Sequence, residues 1–241
     1  MFRHRGKTRT LSHNLQIASL LSFIAGIVNV VGFLSVQRLT TNVTGHFAYL
    51  MEEFLRFSFW KGLVYFLYIL FFLFGAFCAS LVTELVSRKS ERYMYVAPVI
   101  MECLILFTIG YVGADWSVTH PDTIAFSLLF AMGLQNSLVT SISSSNVRTT
   151  HLTGLFTDLG IELSQLFIYK SPEQKKILLS SIRLHITIIT FFFTGGIVGG
   201  FAFDRIGMMV LMISAFLLLL GLIYDGIRFK VIQFHRKRTH R

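Results

Sequence analysis

Charge is scarce in this chain, and so is everything that would close a small water-soluble or metal-bound fold. Only 14% of its 241 residues are charged, while 54% are hydrophobic and 25 are phenylalanine. With a mean hydropathy of +0.65 there is too little polar surface to cover a soluble globule, so a bilayer is the expected solvent. The two cysteines, Cys78 and Cys103, both fall inside apolar runs, which suggests neither a disulfide framework nor a metal site. Catalytic signatures are missing as well. The chain has no HExxH, no GxSxG, no glycine-rich phosphate loop and no carboxylates clustered at metal-ligand spacing, and Ser58 and Lys61 make only a chance-level SxxK. Neither an enzyme nor a bound cofactor is expected. The first apolar run carries Asn14, Gln16 and Asn29 and ends without a small-residue cleavage site, so it reads as a retained span.

The charge that is present sits at the ends. Twenty-two Lys and Arg against twelve acids give a net charge of +10, of which the first fourteen residues and the stretch from Asp225 to Arg241 supply nine. Basic tails beside apolar spans hold cytoplasmic topology and touch anionic lipid, and no nucleic-acid partner is expected. Apolar stretches of spanning length run from Leu15 to Val36, Leu63 to Val86, Tyr93 to Gly113, Thr123 to Ile142, Ile182 to Phe203 and Met208 to Phe229. Six crossings with a cytoplasmic amino terminus place Arg88, Lys89, Arg92, Arg148, Lys170, Lys175, Lys176 and the basic carboxyl tail inside. The uncharged-by-cation loop from Ala114 to Asp122 then falls outside, and only Arg38, Arg56, Lys61 and Arg205 sit on the wrong face.

One stretch occurs twice. TTNVTGHF at 40–47 returns as TTHLTGLF at 149–156, a constant 109 positions later. Upstream, Gly26 and Asn29 line up with Gly133 and Asn136, and downstream FFLFGAFCAS around Gly75 faces FFFTGGIVGG around Gly195. The chain therefore reads as an internal duplication, with a basic tail at 1–14, repeat A at 15–113, repeat B at 114–229 and a second basic tail at 230–241. Three spans per repeat force the second copy to enter from the opposite face. The expected fold is all-α and polytopic, as two inverted three-helix repeats, an architecture of transporters and channels.

After each motif comes an apolar run too short to cross, Thr44 to Phe57 and Thr153 to Tyr169. Thr41 or Thr44, and Thr150 or Thr153, are placed to cap the helix starts with their hydroxyls, while Gly45 and Gly154 would admit another backbone. Two arrangements fit. Half-helices entering from opposite faces would meet near the midplane and build a substrate site from Asn29, Thr41, Thr44, Gly45, Asn136, Thr150, Thr153 and Gly154. Flat interfacial helices would leave the motif as a cap and a packing contact.

Other polar residues near spans are weighed the same way, because an unpartnered polar group in the membrane costs several kcal/mol, on the order of 2–7. Asn29 and Asn136, just before the motifs, suit hydrogen bonds across the repeat interface or ligand contact. Glu102 has no local cation, which suits either proton coupling or an ion pair with another helix. Asp158 and Glu162 share a face of the second short helix, with Arg148 as their expected partner and Asp158 as a coupling candidate. His46 and His151 break the repeat, as parts of an asymmetric site or as two surface histidines. The glycines around Gly75 and Gly195 suit close helix crossing, with each other or with a second subunit in a homo-oligomer.

The order Gly26-x-x-Asn29, TTNVTGHF, Gly75-Ala76, AMGLQNS at 131–137 and VRTTHLTGLFTDLG at 147–160 resembles the YoaK-like family of bacterial multi-spanning membrane proteins, also called UPF0700 or DUF1275. The resemblance covers roughly residues 15 to 228 and implies a bacterial inner-membrane location; it carries no established activity. The expected function is a transporter or channel for a small solute. A scaffold or partner subunit in contact with membrane lipid is the alternative.

Overall fold

A computed structural model of the chain describes residues 10–90, 93–143 and 147–239, with side-chain surroundings up to Asp225. Arg3, Arg5, Lys7, Arg9, Arg92 and Arg241 lie outside the described residues. The regular elements of the described chain are all helices, and five segments are long and apolar enough to cross a membrane. They are α1 (Leu11–Val36), α3 (Phe59–Ser87), α4 (Val96–Thr119), α5 (Pro121–Ser143) and the stretch Pro172–Asp225. That last stretch is not one rod. Gly207, at φ +59°, ends α7 (Pro172–Ile206) in a conformation that favours glycine, and a 3-10 turn Gly207–Met209 leads into α8 (Val210–Thr239).

Helix α7 starts ten residues before the apolar run at Ile182. Pro172 supplies a ready φ at the first position and Glu173 complements the positive end of the helix dipole. Its first turns are exposed and polar, which a hydropathy reading passes over. The two short helices are α2 (Thr44–Leu55) and α6 (Leu152–Ile168). At 1.5 Å per residue they reach about 18 and 26 Å, less than the roughly 30 Å of a hydrocarbon core.

Packing follows a crossed scheme in which α1 lies along α7, α3 along α5 and α4 along α8, while α2 rests on α3 and α6 on α7. Four glycines make this possible. A Cβ at Gly26 would overlap the carbonyl oxygen of Phe192, and one at Gly195 that of Phe23. On the other pair, Gly133 meets the carbonyl of Phe72 and Gly75 that of Phe130. The glycine-bearing faces of α3 and α7 are therefore taken by α5 and α1, and do not cross each other as the sequence suggested. Helices α1 and α5 form the most buried part of the core, through Ile17, Leu21, Ile24 and Val28 against Leu128, Leu129 and Met132. Helix α3 exposes Phe66, Phe74 and Phe77, a surface suited to lipid tails.

Two of the four cations that the expected topology puts on the wrong face lie beside carboxylates. Arg38 lies 3.7 Å from Asp122, and Arg56 pairs with Glu52 at 2.7 Å.

Candidate functional site

After α1 the chain turns back on itself. Gln37, at φ +52°, closes the helix by donating its N–H to the Phe33 carbonyl at 2.9 Å. The following residues then run beside the helix they have just left. Thr40 donates its hydroxyl to the Val28 carbonyl at 3.2 Å and packs on Gly32, and Thr41 donates to Asn29 Oδ1 at 2.6 Å. Asn29 is seven residues before Val36, so the start of α2 is drawn about 10 Å back along α1. The second copy repeats the manoeuvre after α5: Gln135 Nε2 donates to Thr149 at 3.1 Å, and Thr150 donates to Asn136 Oδ1 at 3.0 Å.

Both returns end at the same place. A cavity of about 680 Å³ is lined by Asn29, Thr41 and Thr44 from the first half and by Asn136, Thr150 and Thr153 from the second. Phe72 and Phe192 form apolar walls. Of the expected site residues, Gly45 also lines the cavity and Gly154 sits one position beyond Thr153. The first-turn N–H groups of α2 and α6 have no intrahelical partner, and two helix starts thus converge on one space.

Several side chains do something other than the sequence suggested. The threonines do not cap: the residues before the helices are Val43 and His151, without a side-chain cap, and in the first copy Asn42 Oδ1 accepts from the Gly45 N–H at 3.1 Å. Thr41 and Thr150 find their partners in the asparagines, while Thr44 and Thr153 line the cavity. Asn29 and Asn136 bond within their own halves rather than across the interface. Gly45 and Gly154 admit side chains and not another backbone, since a Cβ would overlap Leu39 and the His151 ring respectively. His151 is exposed on the cavity. His46 is no surface histidine. It is buried, bonded through Nε2 to the Leu39 carbonyl at 2.6 Å, and burial holds its pKa below the ordinary value.

The coupling candidates lie elsewhere. Glu102, on α4, is fully buried, neither carboxyl oxygen has a hydrogen-bond partner, and it is not part of the cavity lining. The ion pair with another helix is absent among the described residues. Asp158 lines a second cavity of about 530 Å³ with Glu162 and His185. Arg148 is not their partner: it lines the motif cavity, while Glu162 accepts from Ser181 and lies 2.9 Å from His185 Nδ1.

Two arrangements escaped the sequence. Tyr68 on α3 donates its hydroxyl to Asp122 and accepts from Arg38 Nε at 3.3 Å, tying the α1 exit to the α5 start. Gln135 also donates to the Leu21 carbonyl of α1 at 2.9 Å, joining the two central helices. Their partners are 30 to 114 positions apart, with no local pattern to announce them.

Long apolar helices, short ones that cannot cross, and backbone returning alongside its own helix define a multi-pass helical membrane protein. The chain belongs to the family described as "Protein of unknown function (DUF1275)", which it matches over residues 17–224. It is similar to the "UPF0700 transmembrane protein YoaK" of Bacillus subtilis (strain 168), with 25% identity over 190 residues, 76% of this chain and 80% of that protein. No solved structure matches it.

Proposed function

We propose that this protein carries a small solute across the bacterial inner membrane, as a transporter or channel, through the cavity between its two threonine motifs. The observation that carries the reading is the convergence of Thr44 and Thr153, 109 positions apart, on one space. Non-helical backbone at membrane depth is tolerated where it lines a cavity, and paired half-helices around such a cavity are a transporter arrangement. The reading takes α7 and α8 as separate crossings, six in all, with the two halves as inverted repeats. The crossed α1–α7 and α3–α5 packing, with equivalent glycines on equivalent carbonyls, supports that symmetry. The Lys and Arg distribution supports cytoplasmic termini. Glu102, buried without a partner, remains the coupling group this reading favours, with Asp158 second. The cavity supports this reading over a scaffold, which would hold the motif helices flat around a dry core.

The test is thiol reactivity in a variant lacking Cys78 and Cys103. A thiol reacts with N-ethylmaleimide as its thiolate, which needs water. Thr44→Cys and Thr153→Cys are expected to react readily, and Ile213→Cys, exposed on the outer face of α8, to stay slow. Equal inertness at all three positions would remove the water-filled site.

A further inference from the structure

We infer that the solute of this cavity is a small organic anion, held through one carboxylate or other oxyanion group by Arg148. The inference rests on the proposed transport site and names its substrate class. What points to it is a place where the two halves stop matching, beside the difference between Asn42 and His151. Around the cavity, Asn29 answers Asn136, Thr41 answers Thr150, Thr44 answers Thr153 and Phe72 answers Phe192. Arg148 has no such partner, because the equivalent residue of the first half, 109 positions earlier, is Leu39.

Arg148 is thus the one permanently charged side chain in a lining that also holds His151 and contains neither Asp nor Glu. It is exposed there, and no ion pair or hydrogen bond to it is found among the described residues. The contrast with Arg38 and Arg56, each beside a carboxylate, is instructive. An arginine that lines a cavity of a membrane protein without a counter-charge marks a pathway or a ligand site. Its planar fork matches a carboxylate or phosphate in two parallel hydrogen bonds. The N–H ends of α2 and α6 add positive potential of the same sign.

Size and wall chemistry narrow the class. About 680 Å³ is within the range of sites for organic ligands, roughly 300–1,000 Å³, and is far more than a halide or a lone phosphate would fill. The threonine hydroxyls and asparagine amides offer neutral hydrogen bonds to the body of the solute, and Phe72 and Phe192 offer apolar faces. The fixed charge of Arg148 balances one negative charge. The fit is to a monoanion with a small, partly apolar body.

The test uses two thiol reagents of equal reach and opposite charge, the sulfonatoethyl and trimethylammonioethyl methanethiosulfonates, on full-length Thr44→Cys and Thr153→Cys protein lacking Cys78 and Cys103. Rates are normalised to those with 2-mercaptoethanol in solution. The anionic reagent is expected to react about tenfold faster than the cationic one, the scale set by one unit charge within several ångströms in a partly desolvated site. Arg148→Gln should erase the preference and Arg148→Lys keep it. Should Arg148→Gln fail to fold, 1 M sodium chloride on the Arg148-containing protein should shrink the preference instead. A faster or equal cationic rate, or a preference that survives both Arg148→Gln and salt, overturns the anion assignment and leaves the water-filled site standing. No reaction with either reagent, together with inertness to N-ethylmaleimide, would take down the transport site itself.

Discussion

Asn29 and Asn136 each give a side-chain carbonyl to a threonine hydroxyl, twelve and fourteen positions further on. With the Thr40–Val28 and Gln135–Thr149 bonds, that bond holds the path of the chain. It helps to draw the segment after the span back along its own helix, so that the next threonine, Thr44 or Thr153, lines the cavity. Replacing either asparagine by leucine leaves a threonine hydroxyl in a partly buried setting without its acceptor. Asn29→Leu and Asn136→Leu are each expected to lower stability by about 1–3 kcal/mol, read as a drop in the thermal unfolding midpoint of purified protein in detergent. Thr41→Val and Thr150→Val should each remove the same bond and show a similar drop. The asparagines and threonines were legible as a repeated set. Their pairing was not, because a threonine near a helix start suits a cap equally well and only three-dimensional proximity shows which acceptor wins.

The helices themselves were largely readable, since the length of an apolar run and the bilayer thickness together separate spanning helices from short ones. Helices α2 and α6 fall where the sequence suggested, within a residue or two. Their neighbours were harder to read. Glycine at Gly75 and Gly195 announces that another backbone comes close without naming it, and the true partners are the carbonyls of Phe130 and Phe23. Because Gly26 and Gly133 lie against backbone oxygens, which cannot swing aside, even one methyl forces two helices apart. Gly26→Ala and Gly133→Ala are expected to cost about 1–3 kcal/mol or more, as overpacking of a tight core does, and to reduce the folded yield in a gel-filtration assay. Gly160→Ala, where a Cβ meets nothing within 4 Å, should behave as the unaltered protein. Polar ties between distant elements, such as Arg38 with Tyr68 and Asp122, left no trace in any local pattern.

At the scale of the whole molecule, the central claim is that two equivalent half-helices come from opposite faces of the membrane and meet at one cavity. The duplication was visible in the sequence because 109 positions separate every member of the motif. Convergence was one of two arrangements the sequence allowed, and the choice between them depends on each chain turning back beside Asn29 or Asn136. The direct measurement is the sidedness of Lys61, in the first turn of α3, and Lys170, just after α6, two exposed residues beyond the far ends of the two short helices. Lys61→Cys and Lys170→Cys, each in a background lacking Cys78 and Cys103, would be labelled in intact cells with a membrane-impermeant thiol reagent. The account predicts that Lys61→Cys labels at once and that Lys170→Cys labels only after the membrane is opened. Labelling of both positions from the same side would contradict it.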